Sequence, residues 1–117
     1  MSKQATNPAA NLSNFKVKGG SFEKVNLRSL DAHDARFEET SFVGANLSGG
    51  HITKTVFDSC NLTDANLSKT NFSSYLGPCY FDMSDLTQTN LEGANLKGAS
   101  FNDVIALGAN FSGANLE

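Results

Sequence analysis

Two histidines and two cysteines are the side chains best suited to proton transfer, metal ligation or redox chemistry in this chain. His51 follows Asp31 by twenty residues, and His33 lies two residues past the same Asp31. An imidazole beside a carboxylate could serve as an acid/base pair or as part of a metal site. Cys60 and Cys79 could form a disulfide if the fold brings them together. No GxxxxGK[ST], GxSxG, HExxH or CxxC motif occurs. Gly19-Gly20 and Gly49-Gly50 read as turn and small inward residues, not as a phosphate cradle. What these groups can do depends on the elements that hold them.

Those elements follow a period of five. Every fifth residue from Leu12 reads Leu12, Val17, Phe22, Leu27, Ala32, Phe37, Phe42, Leu47, Ile52, Phe57, Leu62, Leu67 and Phe72. The phase then slips, and from Leu76 it continues through Phe81, Leu86, Leu91, Leu96, Phe101, Ala106, Phe111 and Leu116. Eight of the nine phenylalanines fall on these 22 positions, which chance does not arrange. Two residues before each large apolar position stands a smaller one, such as Ala45, Thr55, Cys60, Cys79 or Gly50. The remaining positions carry Asn, Ser, Thr, Gly, Lys, Asp and Glu, the residues of turns and solvated surface.

A period of five is neither the 3.6 of a helix nor the 2 of an ordinary strand. It describes a short extended piece and a turn, repeated. One such unit cannot bury its own apolar residue, so successive units must wind into an all-β solenoid whose coils share a core. The segments Ala45-Asn46-Leu47-Ser48-Gly49, Ala65-Asn66-Leu67-Ser68-Lys69, Ala94-Asn95-Leu96-Lys97-Gly98 and Ala114-Asn115-Leu116 resemble the A(D/N)LXX motif of the pentapeptide-repeat family. The resemblance covers about residues 10 to 117 and implies a right-handed quadrilateral parallel β-helix of about five 20-residue coils. Residues 1 to 9 are expected to be a flexible leader or partial cap.

With twenty residues per coil the apolar positions sort into columns. One is expected to read Phe22, Phe42, Leu62, Phe81 and Phe101, and its neighbour Leu27, Leu47, Leu67, Leu86 and Ala106. The others read Leu12, Ala32, Ile52, Phe72, Leu91 and Phe111, and Val17, Phe37, Phe57, Leu76, Leu96 and Leu116. In this scheme the stretch Ser73 to Tyr80 lacks one residue of two full repeats, and Gly77-Pro78 marks a local corner distortion. Cys60 and Cys79 then stack in one column of adjacent coils. Buried reduced thiols are the favoured reading and a redox staple is the alternative.

The histidines would project from a convex ridged surface without a cleft, which favours a solvated Asp-His pair over catalysis. Asn46-Leu47-Ser48 and Asn61-Leu62-Thr63 match glycosylation sequons only because the repeat writes Asn before Leu. Outward apolar residues are more informative, because a solvated ridge has little reason to display them. Val56, Tyr75, Tyr80 and Met83 form a candidate partner surface beside the slip. Ile105, Leu107, Phe111 and Leu116 mark a candidate end, where an uncapped last coil would favour a homodimer.

Composition narrows the function further. The 117 residues carry 9 Lys and Arg against 12 Asp and Glu, a formal charge of −3 that argues against direct nucleic-acid binding. No stretch is apolar and long enough to span a membrane as a helix, and Met1 to Asn11 lacks the apolar run of a signal peptide. A cytoplasmic protein without cofactor or metal, and not an enzyme, is expected. Its function reads as a rigid interaction module for an unidentified protein partner. The resemblance implies an alternative, since some pentapeptide-repeat proteins resemble B-DNA and bind DNA gyrase or topoisomerase IV, type II topoisomerases, giving quinolone resistance or self-protection. Charge counts against it: B-DNA carries one negative charge per roughly 1.7 Å, whereas here twelve acids are offset by nine bases.

Overall fold

A computed structural model describes residues 9–117. Five three-residue strands are present: β1 (Lys16–Lys18), β2 (Asp31–His33), β3 (Arg36–Glu38), β4 (His51–Thr53) and β5 (Val56–Asp58). Strands β1, β3 and β5 form one parallel sheet, and β2 and β4 another. The other repeats are joined by isolated parallel bridges, so every rung pairs with the next without a continuous sheet. Four bridge lines climb the molecule. They run Asn11–Asp31–His51–Asn71–Asn95–Asn115, Lys16–Arg36–Val56–Tyr80–Ser100, Ser21–Ser41–Asn61–Asp85–Ile105 and Asn26–Asn46–Asn66–Asn90–Asn110. The architecture is an all-strand β-helix with a twenty-residue rise between rungs.

The repeat encodes this winding residue by residue. Where asparagine precedes the large apolar residue it accepts, through Oδ1, the N–H two residues on, as Asn46 does from Ser48 at 2.9 Å and Asn66 from Ser68 at 3.0 Å. In about half of the repeats the carbonyl of the large residue then accepts the N–H three residues later, as Phe42 does from Ala45, whereas the repeats that carry β1 to β5 lack this bond. Except at Ser74, the second residue after the large one takes a positive φ, which together with that bond is the geometry of a type II turn. Glycine fills that place at Gly44, Gly49 and Gly93, but Lys54, Asp64 and Met83 adopt it as well. Between rungs the exchange is regular: Phe42 N–H donates to Asn61 C=O at 2.7 Å, and Asn61 N–H donates to Thr40 C=O at 3.1 Å.

The core is built from four columns of large side chains. Phe22 stacks on Phe42 with ring centroids 5.1 Å apart, so leucines and phenylalanines twenty residues apart do lie on neighbouring rungs. Phe37, Phe57, Phe81 and Phe101 form a continuous stack at 5.1 to 5.4 Å. Aromatic pairs from adjacent columns meet edge to face, as Phe37 does with Phe42 at 5.2 Å, an arrangement their quadrupoles favour. The smaller inward residues fill the corners. Where they are polar they donate to nearby carbonyls: Thr89 Oγ1 to Leu62 at 2.7 Å, Thr70 Oγ1 to Leu47 at 2.9 Å and Ser84 Oγ to Phe57 at 3.0 Å. No buried side-chain polar atom among the described residues lacks a partner.

The columns beyond Phe72 differ from the expected ones. The bridges separate by twenty residues on either side of the irregularity but by twenty-four across it, as in Val56 to Tyr80 and Asn71 to Asn95. Leu62 therefore stacks below Leu86 instead of Phe81, Leu67 below Leu91, and Phe72 below Leu96. Leu76 leaves the core altogether and is 67% exposed. The reason is arithmetic: with a period of five, one residue lost and four gained produce the same phase. Ser74 to Pro78 form an outward loop, with a turn closed by Gly77 N–H to Ser74 C=O at 3.2 Å and beside the Lys54 side chain, and the chain re-enters the core at Cys79. Apart from Ala9, the expected N-terminal leader lies outside the described residues.

Candidate functional site

The histidine site does not assemble as acid/base chemistry would need. Parallel register places His51 directly beside Asp31, as the spacing predicts. Yet the His51 ring Nδ1 lies 3.3 Å from Asn71 Nδ2, and the His33 Nδ1 lies 2.9 Å from Ser13 Oγ. Each imidazole thus turns to a neutral neighbour. Among the described residues no group of three His, Cys, Asp or Glu side chains is placed to hold a metal.

The cysteines are buried and free, and the twenty-four-residue register separates them. Cys60 faces Ser84, whose Oγ accepts the Cys60 N–H at 3.0 Å, while Cys79 belongs to the line that continues from Thr55. The expected stack of Cys60 on Cys79 is therefore incorrect. Each thiol instead points at a backbone carbonyl of the rung below, Cys60 Sγ at Phe37 O (3.1 Å) and Cys79 Sγ at Ile52 O (3.2 Å). Burial pushes both thiols up to about 11, with the Asp58 and Glu38 carboxylates adding to the rise at Cys60.

The outward apolar residues do come together, with one exception. Val56 and Tyr80 are bridge partners on successive rungs, and Met83 stands at the turn that follows Tyr80. With Arg36, Phe57, Asp58 and Asp82 they line an open groove of about 330 Å³. Tyr75 lies apart from it, 98% exposed on the loop. The sequence signal missed at this site is the acidic line beside it: Glu38 and Asp58 are register partners, and Asp82 follows on the next rung. Arg36 bonds to both lower members, with Nε 3.3 Å from Glu38 and Nη2 3.6 Å from Asp58. Asp82 Oδ1 accepts Ser100 Oγ at 2.7 Å and the Asn102 N–H at 2.9 Å. The pair Glu38 and Asp58 is legible at a spacing of twenty, but Asp82 joins it only through the twenty-four-residue separation across the loop.

At the C-terminal end Ile105, Leu107 and Leu116 are exposed and Phe111 is half-buried. A second open groove, lined by Arg28, Ser48, Ser68, Lys69 and Glu92, carries no apolar side chain comparable to those of the first. No helix of the described residues is long and apolar enough to cross a membrane.

A parallel β-helix wound from five-residue units defines a class of structural repeat protein. The pattern described as pentapeptide repeats, eight copies, matches residues 9–42, 40–74 and 79–117, and the chain belongs to the pentapeptide-repeat family. The unmatched residues 75–78 are the tip of the loop. Members of this family are generally non-enzymatic structural proteins. Among solved structures, a trypsin-treated variant of QnrB1, a plasmid-mediated fluoroquinolone resistance protein, is 21% identical with a TM-score of 0.62. That similarity covers 94% of this chain and 56% of the treated one, and against full-length QnrB1 the chain covers 46%, so it spans about half the length of that protein; the similarity shows the fold. The pentapeptide repeat protein Rfr23 from the cyanobacterium Cyanothece 51142 is 16% identical over 93% of this chain and 89% of its own, with a TM-score of 0.45. A pentapeptide repeat protein of the Arabidopsis thaliana thylakoid lumen is 28% identical over 92% and 65%, with a TM-score of 0.44. No curated protein matches the sequence significantly.

Proposed function

We propose that this chain is a non-enzymatic, cytoplasmic interaction module: a right-handed quadrilateral β-helix of about five coils that presents one face to a protein partner. The observation that carries this reading is the convergence of Val56, Tyr80 and Met83 in one groove, on a surface whose other outward positions are mostly polar. A rigid solenoid suits such a role, because its side chains are held in register by backbone bridges and lose little freedom on binding. Tyr75, which stands apart from the groove on the exposed loop, is proposed as a further contact to the same partner. Affinity capture from the source cell tests the reading. Tyr75→Ala with Tyr80→Ala loses the captured partner, and a double variant that retains it removes this face from consideration.

A second copy of the chain is the proposed neighbour at the C-terminal rung, through Ile105, Leu107, Phe111 and Leu116. Light scattering reads this directly, and a concentration-independent mass near 12.5 kDa counts against it.

A second functional reading, a DNA mimic acting on gyrase or another type II topoisomerase, draws support from the in-register carboxylates Glu38, Asp58 and Asp82. Arg36 neutralises part of that line, which makes it the weaker of the two readings. A gyrase supercoiling assay decides it: inhibition or protection supports mimicry, and neither at high micromolar protein removes it.

A further inference from the structure

The face that carries the groove is built from two outward ladders. The first reads Lys16, Arg36, Val56, Tyr80 and Ser100, and the second Lys18, Glu38, Asp58, Asp82 and Asn102. Successive rungs lie about 4.8 Å apart, so carboxylates in register repel one another unless a cation stands between them. Arg36 does this for the lower pair, reaching both Glu38 and Asp58. For the upper pair, Asp58 and Asp82, the corresponding places of the first ladder hold Val56 and Tyr80. The chain thus repeats the anionic half of the arrangement and replaces the cationic half by an apolar floor.

Met83 adds an independent sign. Its φ is 62°, in the left-handed region, and its side chain is 60% exposed. At the equivalent turn position, every other described repeat with a positive φ carries glycine or a polar residue. Eleven other described non-glycine residues share the left-handed conformation and all are polar, so what sets Met83 apart is a largely exposed thioether where the turn elsewhere carries a solvated side chain or glycine. A local rule broken without structural gain points to a surface used for binding. Methionine, tyrosine and valine beside two carboxylates suit a side chain that is cationic at its tip and apolar along its stem.

We infer that the groove between Val56, Tyr80 and Met83 receives an arginine of a partner protein, set in an apolar segment, with its guanidinium between Asp58 and Asp82. The inference rests on reading this face as a protein-binding surface. Arginine fits better than lysine because its planar, weakly hydrated guanidinium stacks on a tyrosine ring while pairing with carboxylates. The bound side chain reproduces one rung higher what Arg36 does below. Asp82 is already oriented for it, since Ser100 and Asn102 occupy its Oδ1 and hold the carboxylate in place.

The test is a titration of the isotope-labelled chain, followed by amide chemical shifts, with the blocked peptide acetyl-Gly-Leu-Arg-Leu-Gly-amide. A matched peptide carries citrulline, the neutral isostere, in place of arginine. Saturable shifts centred on Val56, Tyr80, Asp82 and Met83 are expected, with affinity for the citrulline peptide about tenfold lower, as loss of a charge-assisted pair implies. Asp82→Asn retains the acceptor for Ser100 and Asn102 and loses most of that discrimination. Met83→Gly relaxes the turn, folds at least as well, and weakens both peptides. Equal binding of the two peptides in the groove overturns the arginine while leaving the face as a docking surface. Shifts centred elsewhere, or none at the groove, overturn the arginine as well; loss or retention of the captured partner in the Tyr75/Tyr80 double variant reports separately on the face.

Discussion

Phe57 and Phe81 stack with ring centroids 5.1 Å apart and planes 2° from parallel, although twenty-four residues separate them. This pair carries the solenoid across its one irregularity. Phe81 is fully buried between Phe57 and Phe101, so Phe81→Ala costs about 3–5 kcal/mol. Leu76→Ala, at an exposed loop position, changes stability by no more than about 0.5 kcal/mol. Chemical denaturation of both variants checks the contrast. Equal losses would restore Leu76 to the core and undo the register.

The loop itself is dispensable to the winding. Deleting residues 75–78 joins Ser74 to Cys79 and leaves Asn71-Phe72-Ser73-Ser74-Cys79-Tyr80, a regular repeat with serine at the left-handed turn position already filled by Ser29 and Ser59. The shortened chain keeps all its rung bridges and forms no longer loop to close. Its melting temperature, followed by circular dichroism, stays within a few degrees of the parent. Were Leu76 a core residue, the same deletion would cost about 2–5 kcal/mol or abolish folding.

Gly50 is an inward residue whose size is set by backbone, not by a side chain. A methyl group there would lie 2.9 Å from the Leu30 carbonyl oxygen and 3.3 Å from that of Leu47. Gly50→Ala is expected to cost about 1–3 kcal/mol, and Leu30→Ala does not rescue it, because the clash is with main chain. Gly98→Ala meets nothing within 4 Å and suffers only the left-handed φ of 77°, a penalty of about 1 kcal/mol. Urea midpoints of the three variants separate the two causes.

Much of the architecture was legible because each five-residue unit states its own conformation: Asn caps the turn, Leu or Phe enters the core, and Ala or Thr fills the corner. The twenty-residue rung confirmed by Phe22 on Phe42 follows from that local code and the family resemblance. The passage from Phe72 to Phe81 was not legible, since phase alone does not distinguish one residue removed from four added. That ambiguity displaced Leu76 from the core, unstacked Cys60 from Cys79, and brought Tyr80 instead of Tyr75 against Val56. The partner face was half visible. Its apolar members stand out in sequence, but the line Glu38, Asp58 and Asp82 exists only once the inserted residues are placed.

The two thiols give the fold a stability limit at high pH. In the unfolded chain they ionise near 9.0, whereas in the folded chain burial delays ionisation to about 11. Below pH 9 both states hold their protons and the thiols contribute nothing. Between pH 9 and 11 the unfolded chain has lost protons that the native one retains, so stability falls as pH rises and levels off above 11. Two pKa units correspond to about 2.7 kcal/mol for each thiol. Replacing Cys60 by Ser and Cys79 by Thr, residue types already used at inward positions, flattens stability over that window relative to the parent, as denaturant titrations at pH 8, 9, 10 and 11 would read. In the native state at pH 8 neither thiol reacts with a maleimide within the lifetime of the fold, and both react once urea unfolds the chain. Rapid labelling of either cysteine in the native protein would show that the rungs around it open, and that burial is not what holds its proton.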